Sequence, residues 1–205
     1  MGTEGGGVCR FDGVYFESYD KKKGVAGNIV RSLMEDSKGN IWIGTDEGIT
    51  VYDGLKFRSF QEEEGIPEGT IMCFLETAEN TIWAGIAGGG IVRMDIVTKD
   101  SMTVKVFNSV HGLKSDIVFD MQLDSKGRIW VATYNGGINI VTDLGDDVEW
   151  SYLNRIDGIP SDVILTLSRD AGGDMWAGTL DHGAFRVVMS GPDSGKVHTY
   201  NLING

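Results

Sequence analysis

An all-β fold built from a repeated four-stranded unit is predicted by three observations. Tryptophan recurs at near-constant spacing: Trp42, Trp83, Trp130 and Trp176 stand 41, 47 and 46 residues apart, with Trp150 out of register. Glycine is abundant and proline scarce, 30 against 3 in 205 residues, a balance that favours many tight turns over a disordered linker. Between the glycines lie short runs rich in Thr, Val, Ile and aromatic residues, which favour strands. Four antiparallel strands repeated at this period make a β-propeller blade. The glycine spacing and the period-2 runs exclude a helical repeat, and a β-solenoid would repeat at a shorter period.

Aligned on the four tryptophans, the copies read alike. Apolar runs at 29–34, 71–75, 117–123 and 163–167 form a first strand. Gly39, Asn80, Gly127 and Gly173, three residues before each Trp, tolerate the positive φ of a tight hairpin into the second strand. Two residues after each Trp stand Gly44, Gly85, Ala132 and Gly178, small enough for a neighbouring sheet to approach. Gly48, Gly90, Gly137 and Gly183 mark the hairpin into a third strand, and a fourth strand ends at Phe60, Phe107, Tyr152 or Tyr200. The connections between copies carry Gly24-Val25, Gly65-Ile66, Gly112-Leu113 and Gly158-Ile159, two of them running on to Ser115-Asp116 and Ser161-Asp162.

Full blades are therefore expected at 27–60, 69–107, 115–152 and 161–200. "FDGVYFESY" (11–19) matches "YDGLKFRSF" (52–60) position by position, so 6–19 is expected to supply the third and fourth strands of an additional half blade. Residues 1–205 then form a single partial β-propeller of about four and a half blades. Its open ends would expose apolar faces and drive self-association.

The net charge of −12 argues against a nucleic-acid partner, because an acidic surface repels phosphates. Lys21–Lys23 and Glu62–Glu64 read as solvated loops. No apolar run reaches the length of a membrane span, and "MGTEGGG" (1–7) has neither a basic nor an apolar region of a signal peptide. Neither signal, membrane segment nor direct membrane contact is thus expected of this stretch. Cys9 and Cys73, in apolar runs, are expected as buried free thiols.

Motifs for chemistry are sparse. The sequence has no H-E-x-x-H, C-x-x-C or G-x-S-x-G, so no catalytic residue, metal site or cofactor is expected. "DSKGNIW" (36–42) reads as a turn whose side chain holds its own backbone. A Trp repeated in every copy is expected to be inter-blade core rather than a sugar platform. Function is expected where the copies differ, in the loops between second and third strands: "TDEG" (45–48), "IAGG" (86–89), "TYNGG" (133–137) and "TLDHG" (179–183). Asp46, Glu47, Tyr134, Asn135, Asp181 and His182 are the candidate ligand-facing residues. Tyr and Asn suit a carbohydrate through stacking and amide hydrogen bonds.

G-N-I-W-I-G-T-x-x-G-I (39–49), the aromatic-Asp-Gly turns and Gly-Ile-Pro-Ser-Asp (158–162) together resemble the two-component regulator propeller repeat, over about residues 6 to 200. The resemblance implies a seven-bladed propeller, often in tandem, in the periplasmic sensor region of bacterial hybrid two-component or histidine kinase proteins. It also implies a small-molecule ligand, an oligosaccharide from polysaccharide breakdown. The second blade departs from the pattern, with Gly88-Gly89-Gly90 and with "VRMDIVTKD" (92–100) in place of an aromatic-Asp-Gly turn. Output domains would lie outside this chain. Two other readings stay open: a propeller lyase or hydrolase acting at the central channel, for which His182 alone is thin support, and a protein-binding scaffold.

Overall fold

The computed structural model describes residues 1–98, 101–145 and 147–201. Lys99 and Asp100, which close the divergent segment of the second blade, and the last four residues of the predicted 1–205 domain lie outside the described residues. The chain divides into two compact units, Met1–Val106 and Phe107–Gly205.

The described residues form one two-stranded and four four-stranded antiparallel sheets, each in simple sequential order. In the first unit β1 (Val8–Phe11) pairs with β2 (Phe16–Tyr19). The next sheet comprises β3 (Val30–Glu35), β4 (Ile41–Thr45), β5 (Ile49–Tyr52) and β6 (Phe57–Phe60). It is followed by β7 (Thr70–Ala78), β8 (Thr81–Ala87), β9 (Gly90–Thr98) and β10 (Ser101–Phe107). The second unit holds β11 (Val118–Leu123), β12 (Ile129–Thr133), β13 (Ile138–Asp143) and β14 (Val148–Leu153). Its last sheet is β15 (Ile164–Arg169), β16 (Met175–Thr179), β17 (Ala184–Val187) and β18 (Val197–Tyr200). These are propeller blades, four complete and one partial.

The turn glycines act as their positions required. Gly39, Asn80, Gly127 and Gly173 all have positive φ, from 70° to 89°. Gly44 allows close approach: a Cβ there would meet Ile71 Cγ2 of the next blade at 2.8 Å. Lys21–Lys23 and Glu62–Glu64 are single 3-10 turns rather than open loops, each closed by a left-handed glycine, Gly24 or Gly65. Cys73 is buried, whereas Cys9 is only half-buried.

Pairing also extends N-terminal of β1. Gly2 bridges Val8 and Glu4 bridges Ile29. Thr3 Oγ1 donates to the Gly7 carbonyl at 2.7 Å, the turn bond that Thr45, Thr133 and Thr179 each make at 2.8 Å. "MGTEGGGV" (1–8) thus aligns with "VATYNGGI" (131–138) as the end of a second strand and its hairpin. With no Trp to mark it, the stretch is not recognisable by the repeat's strongest signal. Beside it an apolar cavity of about 540 Å³ exposes the flank of β3 and β4. Leu33 in its wall is 40% exposed, against 6% for its equivalent Leu167, which a preceding blade covers.

Blades are joined by burial and by a bulge. Trp42 lies in one core with Ile71, Ile82 and Met94 of the next blade, its ring 6.0 Å from that of Phe74. Trp130 lies likewise with Ile164, Leu167 and Met175. Each first strand shifts register near its start, at Val30/Ser32, Ile71/Cys73, Val118/Asp120 and Ile164/Thr166. Such a bulge re-aims the following side chain. Ser32 Oγ donates to the Ile71 carbonyl at 2.9 Å, and Asp120 accepts from Thr166 Oγ1 and Leu167 N at 3.0 and 2.7 Å.

A carboxylate anchors each of three tryptophans. Asp36, Asp124 and Asp170 accept from Nε1 of Trp42, Trp130 and Trp176 at 2.9, 3.1 and 2.9 Å. The same carboxylates hold the hairpin's backbone, Asp36 through Lys38 N and Asn40 N, Asp124 through Lys126 N and Arg128 N. Burial pushes the carboxyls of Asp36 and Asp124 up, but these bonds outweigh it and hold both below the ordinary aspartate value. The Trp176 bond does most to lower that of Asp170. The second blade has Thr77 at this position.

Trp130→Ala should cost about 3 to 5 kcal/mol in chemical denaturation, and Trp176→Ala distinctly less, because Trp176 is only half-buried. The lowered carboxyls also set an acid limit. Their contribution is fully present above the unfolded aspartate value of about 4 and is lost as pH falls through the folded values below it. Denaturation midpoints measured from pH 6 to pH 2.5 should therefore hold steady to about pH 4 and then drop. In Asp124→Asn the drop should be shallower, from a lower starting stability.

Candidate ligand-binding face

In an antiparallel sheet of simple order, the hairpins from second to third strand lie at the same end as the connections to the next blade. Each connection is a 3-10 turn with a left-handed glycine: Gly24, Gly65, Gly112 or Gly158. The turns are tied down by a residue further along. Asn28 Oδ1, Asp116 Oδ1 and Asp162 Oδ1 accept from the backbone N–H of Lys21, Ser109 and Arg155 at 3.0, 2.6 and 2.9 Å. This explains the aspartates of the Ser-Asp pairs at 115–116 and 161–162, while Ser115 and Ser161 accept from the backbone N–H of Ile117 and Val163 at 3.3 and 3.1 Å.

On this face of the first unit, a cavity of about 610 Å³ is lined by Asp46 and Glu47 together with Gln61, Glu62, Glu63, Glu64, Ile66, Pro67 and Glu68. Six of these side chains are carboxylates. Asp46 is held through its backbone N–H to the Ile29 carbonyl at 3.2 Å. Its Oδ1 is buried and has no hydrogen-bond partner among the described residues. Gly27 leaves the carboxyl room, since a Cβ there would come within 2.6 Å of that oxygen. Glu47 forms an ion pair with Lys21, and its carbonyl accepts from Gln61 Nε2 at 2.8 Å. Gln61, Glu62–Glu64, Pro67 and Glu68 come from the inter-blade connection, which the comparison of hairpin loops did not select.

The other four candidates belong to the second unit. Tyr134 is exposed and meets Phe119 edge-on at 6.4 Å. Asn135 adopts a left-handed φ of 60°, a turn role that Asn tolerates well. Asp181 accepts from the buried Ser161 Oγ at 2.8 Å and pairs with His182 Nδ1 at 2.8 Å. The His182 bond, then the Ser161 bond, holds the Asp181 carboxyl below the ordinary value. Serine, aspartate and histidine are thus together, but the carboxylate stands in the middle. The serine proton is directed at Asp181 and not at an imidazole base, so the nucleophile is not activated. Among the described residues, no group of three His, Cys, Asp or Glu side chains is placed to hold a metal.

Blades of this construction, with variable loops gathered at one end, define a propeller-repeat protein. A two-component regulator propeller signature matches residues 24–47 and 112–135, and the chain carries that family's repeat at both stretches. No curated protein matches the sequence. Among solved structures, the chain is similar to the extracellular domain of the B. thetaiotaomicron hybrid two-component system BT3049, with 25% identity and a TM-score of 0.81. The match covers 100% of this chain and 27% of that one. PorZ, a surface component of the type-IX secretion system of Porphyromonas gingivalis, shares the fold at 15% identity and a TM-score of 0.75, over 100% of this chain and 32% of its own. Virginiamycin B lyase from Staphylococcus aureus shares it at 14% identity and 0.62, over 84% and 55%. The chain therefore spans about a quarter to a third of the length of the first two. Among the described residues no helix is long and apolar enough to cross a membrane.

His182→Ala removes the largest cause of the lowered Asp181 carboxyl. Carboxyl titration followed by carbon NMR should move upward in that variant, and Ser161→Ala should move it less.

Proposed function

We propose that this chain is part of an extracytoplasmic, periplasmic sensor propeller of a two-component signalling protein, and that it binds a neutral carbohydrate-derived ligand on its loop face. The reading is supported above all by the cavity at Asp46 and Glu47, which lies where the repeat varies. Ordered, partly desolvated carboxylates accept hydrogen bonds from vicinal hydroxyls, while Ile66 and Pro67 offer apolar surface to a sugar ring. Six carboxylates in the lining and a net charge of −12 oppose an anionic sugar. Binding would favour one arrangement of the sensor over another and so regulate a kinase elsewhere in the protein.

The propeller itself is non-enzymatic in this reading. The order Ser161, Asp181, His182 is a structural clamp rather than a nucleophile with its base.

Thermal melting against a panel of neutral and uronic-acid oligosaccharides tests the proposal. A neutral oligosaccharide should raise the melting temperature in proportion to the logarithm of its concentration, and acidic ones should not. Asp46→Asn with Glu47→Gln should abolish the shift while leaving the unliganded melting temperature nearly unchanged. A shift with acidic sugars, or one that survives both substitutions, would remove this site from the reading.

A further inference from the structure

The first and fourth blades differ at one position that bears directly on Asp46. Aligned on the left-handed glycines Gly24 and Gly158, Gly27 stands where the fourth blade has Ser161. The buried Ser161 side chain lies between its connection and the hairpin. Its Oγ donates to Asp181 Oδ1 at 2.8 Å and accepts from Val163 N at 3.1 Å. The same Asp181 oxygen also meets His182 Nδ1, so this carboxylate is served twice from within the protein.

In the first blade the hairpin is one residue shorter, and Asp46 follows Thr45 directly. A Cβ on Gly27 would stand 2.6 Å from Asp46 Oδ1, so this oxygen rests where the fourth blade has a serine side chain. It is buried, and no donor meets it among the described residues. The backbone on both sides of Gly27 is held, by Ala26 N–H donating to Thr50 Oγ1 at 2.8 Å and by Asn28 Oδ1 accepting from Lys21 N at 3.0 Å. Asp46 itself lines the 610 Å³ cavity. A turn about its Cα–Cβ bond lifts the carboxylate towards an occupant, while its N–H stays on the Ile29 carbonyl. That turn breaks no hydrogen bond of Oδ1, whereas Asp181 would have to break two. A buried acceptor without a donor is costly, which favours the turn once a donor is offered.

We infer that Gly27 is the positioning residue of this site: by withholding the hydroxyl that Ser161 gives to Asp181, it keeps Asp46 available to accept from a hydroxyl of the ligand. The inference rests on the carbohydrate reading of the cavity, and adds why the first blade is receptive where the fourth is already satisfied. The effect of glycine here is chemical as well as steric. A Cβ would also approach Thr45 Oγ1 at 2.7 Å, but the fourth blade accommodates one. Beside Ser161, Thr179 keeps the 2.8 Å bond to the hairpin carbonyl that Thr45 makes beside Gly27.

Gly27→Ser and Gly27→Ala separate hydroxyl from bulk. Neutral gluco-, galacto- and manno-oligosaccharides are titrated calorimetrically into the parent chain and both variants, and each unliganded protein is melted. Gly27→Ser should melt at or above the parent and bind about tenfold or more weakly, the loss of one hydrogen bond to a charged group. A crystal structure of that variant should show the introduced hydroxyl on the Asp46 carboxylate. Gly27→Ala, with the bulk but no hydroxyl, should bind nearly as the parent does. Undiminished binding by Gly27→Ser, an equal loss in both variants, or a Gly27→Ser chain that melts well below the parent would overturn the inference and leave the ligand reading standing. A parent chain that takes up none of these sugars would overturn the ligand reading itself, and this inference with it.

Discussion

The hydrogen bond from an indole N–H to the aspartate of the preceding hairpin is the interaction on which three of the four full blades depend. Tryptophan is the largest side chain available to fill the wedge between sheets, but its N–H must find an acceptor when buried. Asp36, Asp124 and Asp170 supply that acceptor from the hairpin that starts the second strand. The same carboxylate caps the hairpin's own N–H groups, so turn geometry and Trp placement are set by one residue. A glycine or asparagine with positive φ three residues before the Trp completes the arrangement. Core, turn and register are thereby fixed together, which is why a short sequence pattern can specify a whole blade.

That coupling made most of the fold legible from sequence. Spacing of tryptophans marked the period, and hairpin glycines marked most strand limits within a residue or two, although β7 runs three residues further than expected, to Ala78. What escaped was whatever lacked a distinctive residue. Residues 1–7 form a strand end and its turn through the Thr3 and Gly7 pairing, yet the run of glycines reads as featureless. The bulge near the start of each first strand was also silent, because it is a backbone offset that Ser32 and Asp120 exploit from neighbouring blades. Those two residues share no chemistry that an alignment of copies would flag.

The candidate site was legible in position more than in role. Variation among hairpin loops led to Asp46 and Glu47, which line a cavity. It also led to Asn135, whose left-handed backbone accounts for its identity, and to Asp181, which Ser161 and His182 occupy. The missing half of the cavity wall, Gln61 to Glu64, belongs to the connection between blades. Sequence presents hairpin and connection as separate stretches about fifteen residues apart; strand order alone brings them to one end of the sheets.

Repetition also shows where the copies part. Trp42 shares its core with Val51 and Met34, and Trp130 shares its core with Ile140; both indoles are fully buried. At the positions of Met34 and Val51, Ser168 and Arg186 stand beside Trp176, and Tyr200 stacks on that indole at 5.2 Å. Trp176 is half-buried, yet its bond to Asp170 keeps the 2.9 Å length seen at Trp42. Placement of the indole and its burial are therefore separable. The carboxylate places the ring in each blade that has one, and the residues packed on either side decide how much of it is covered.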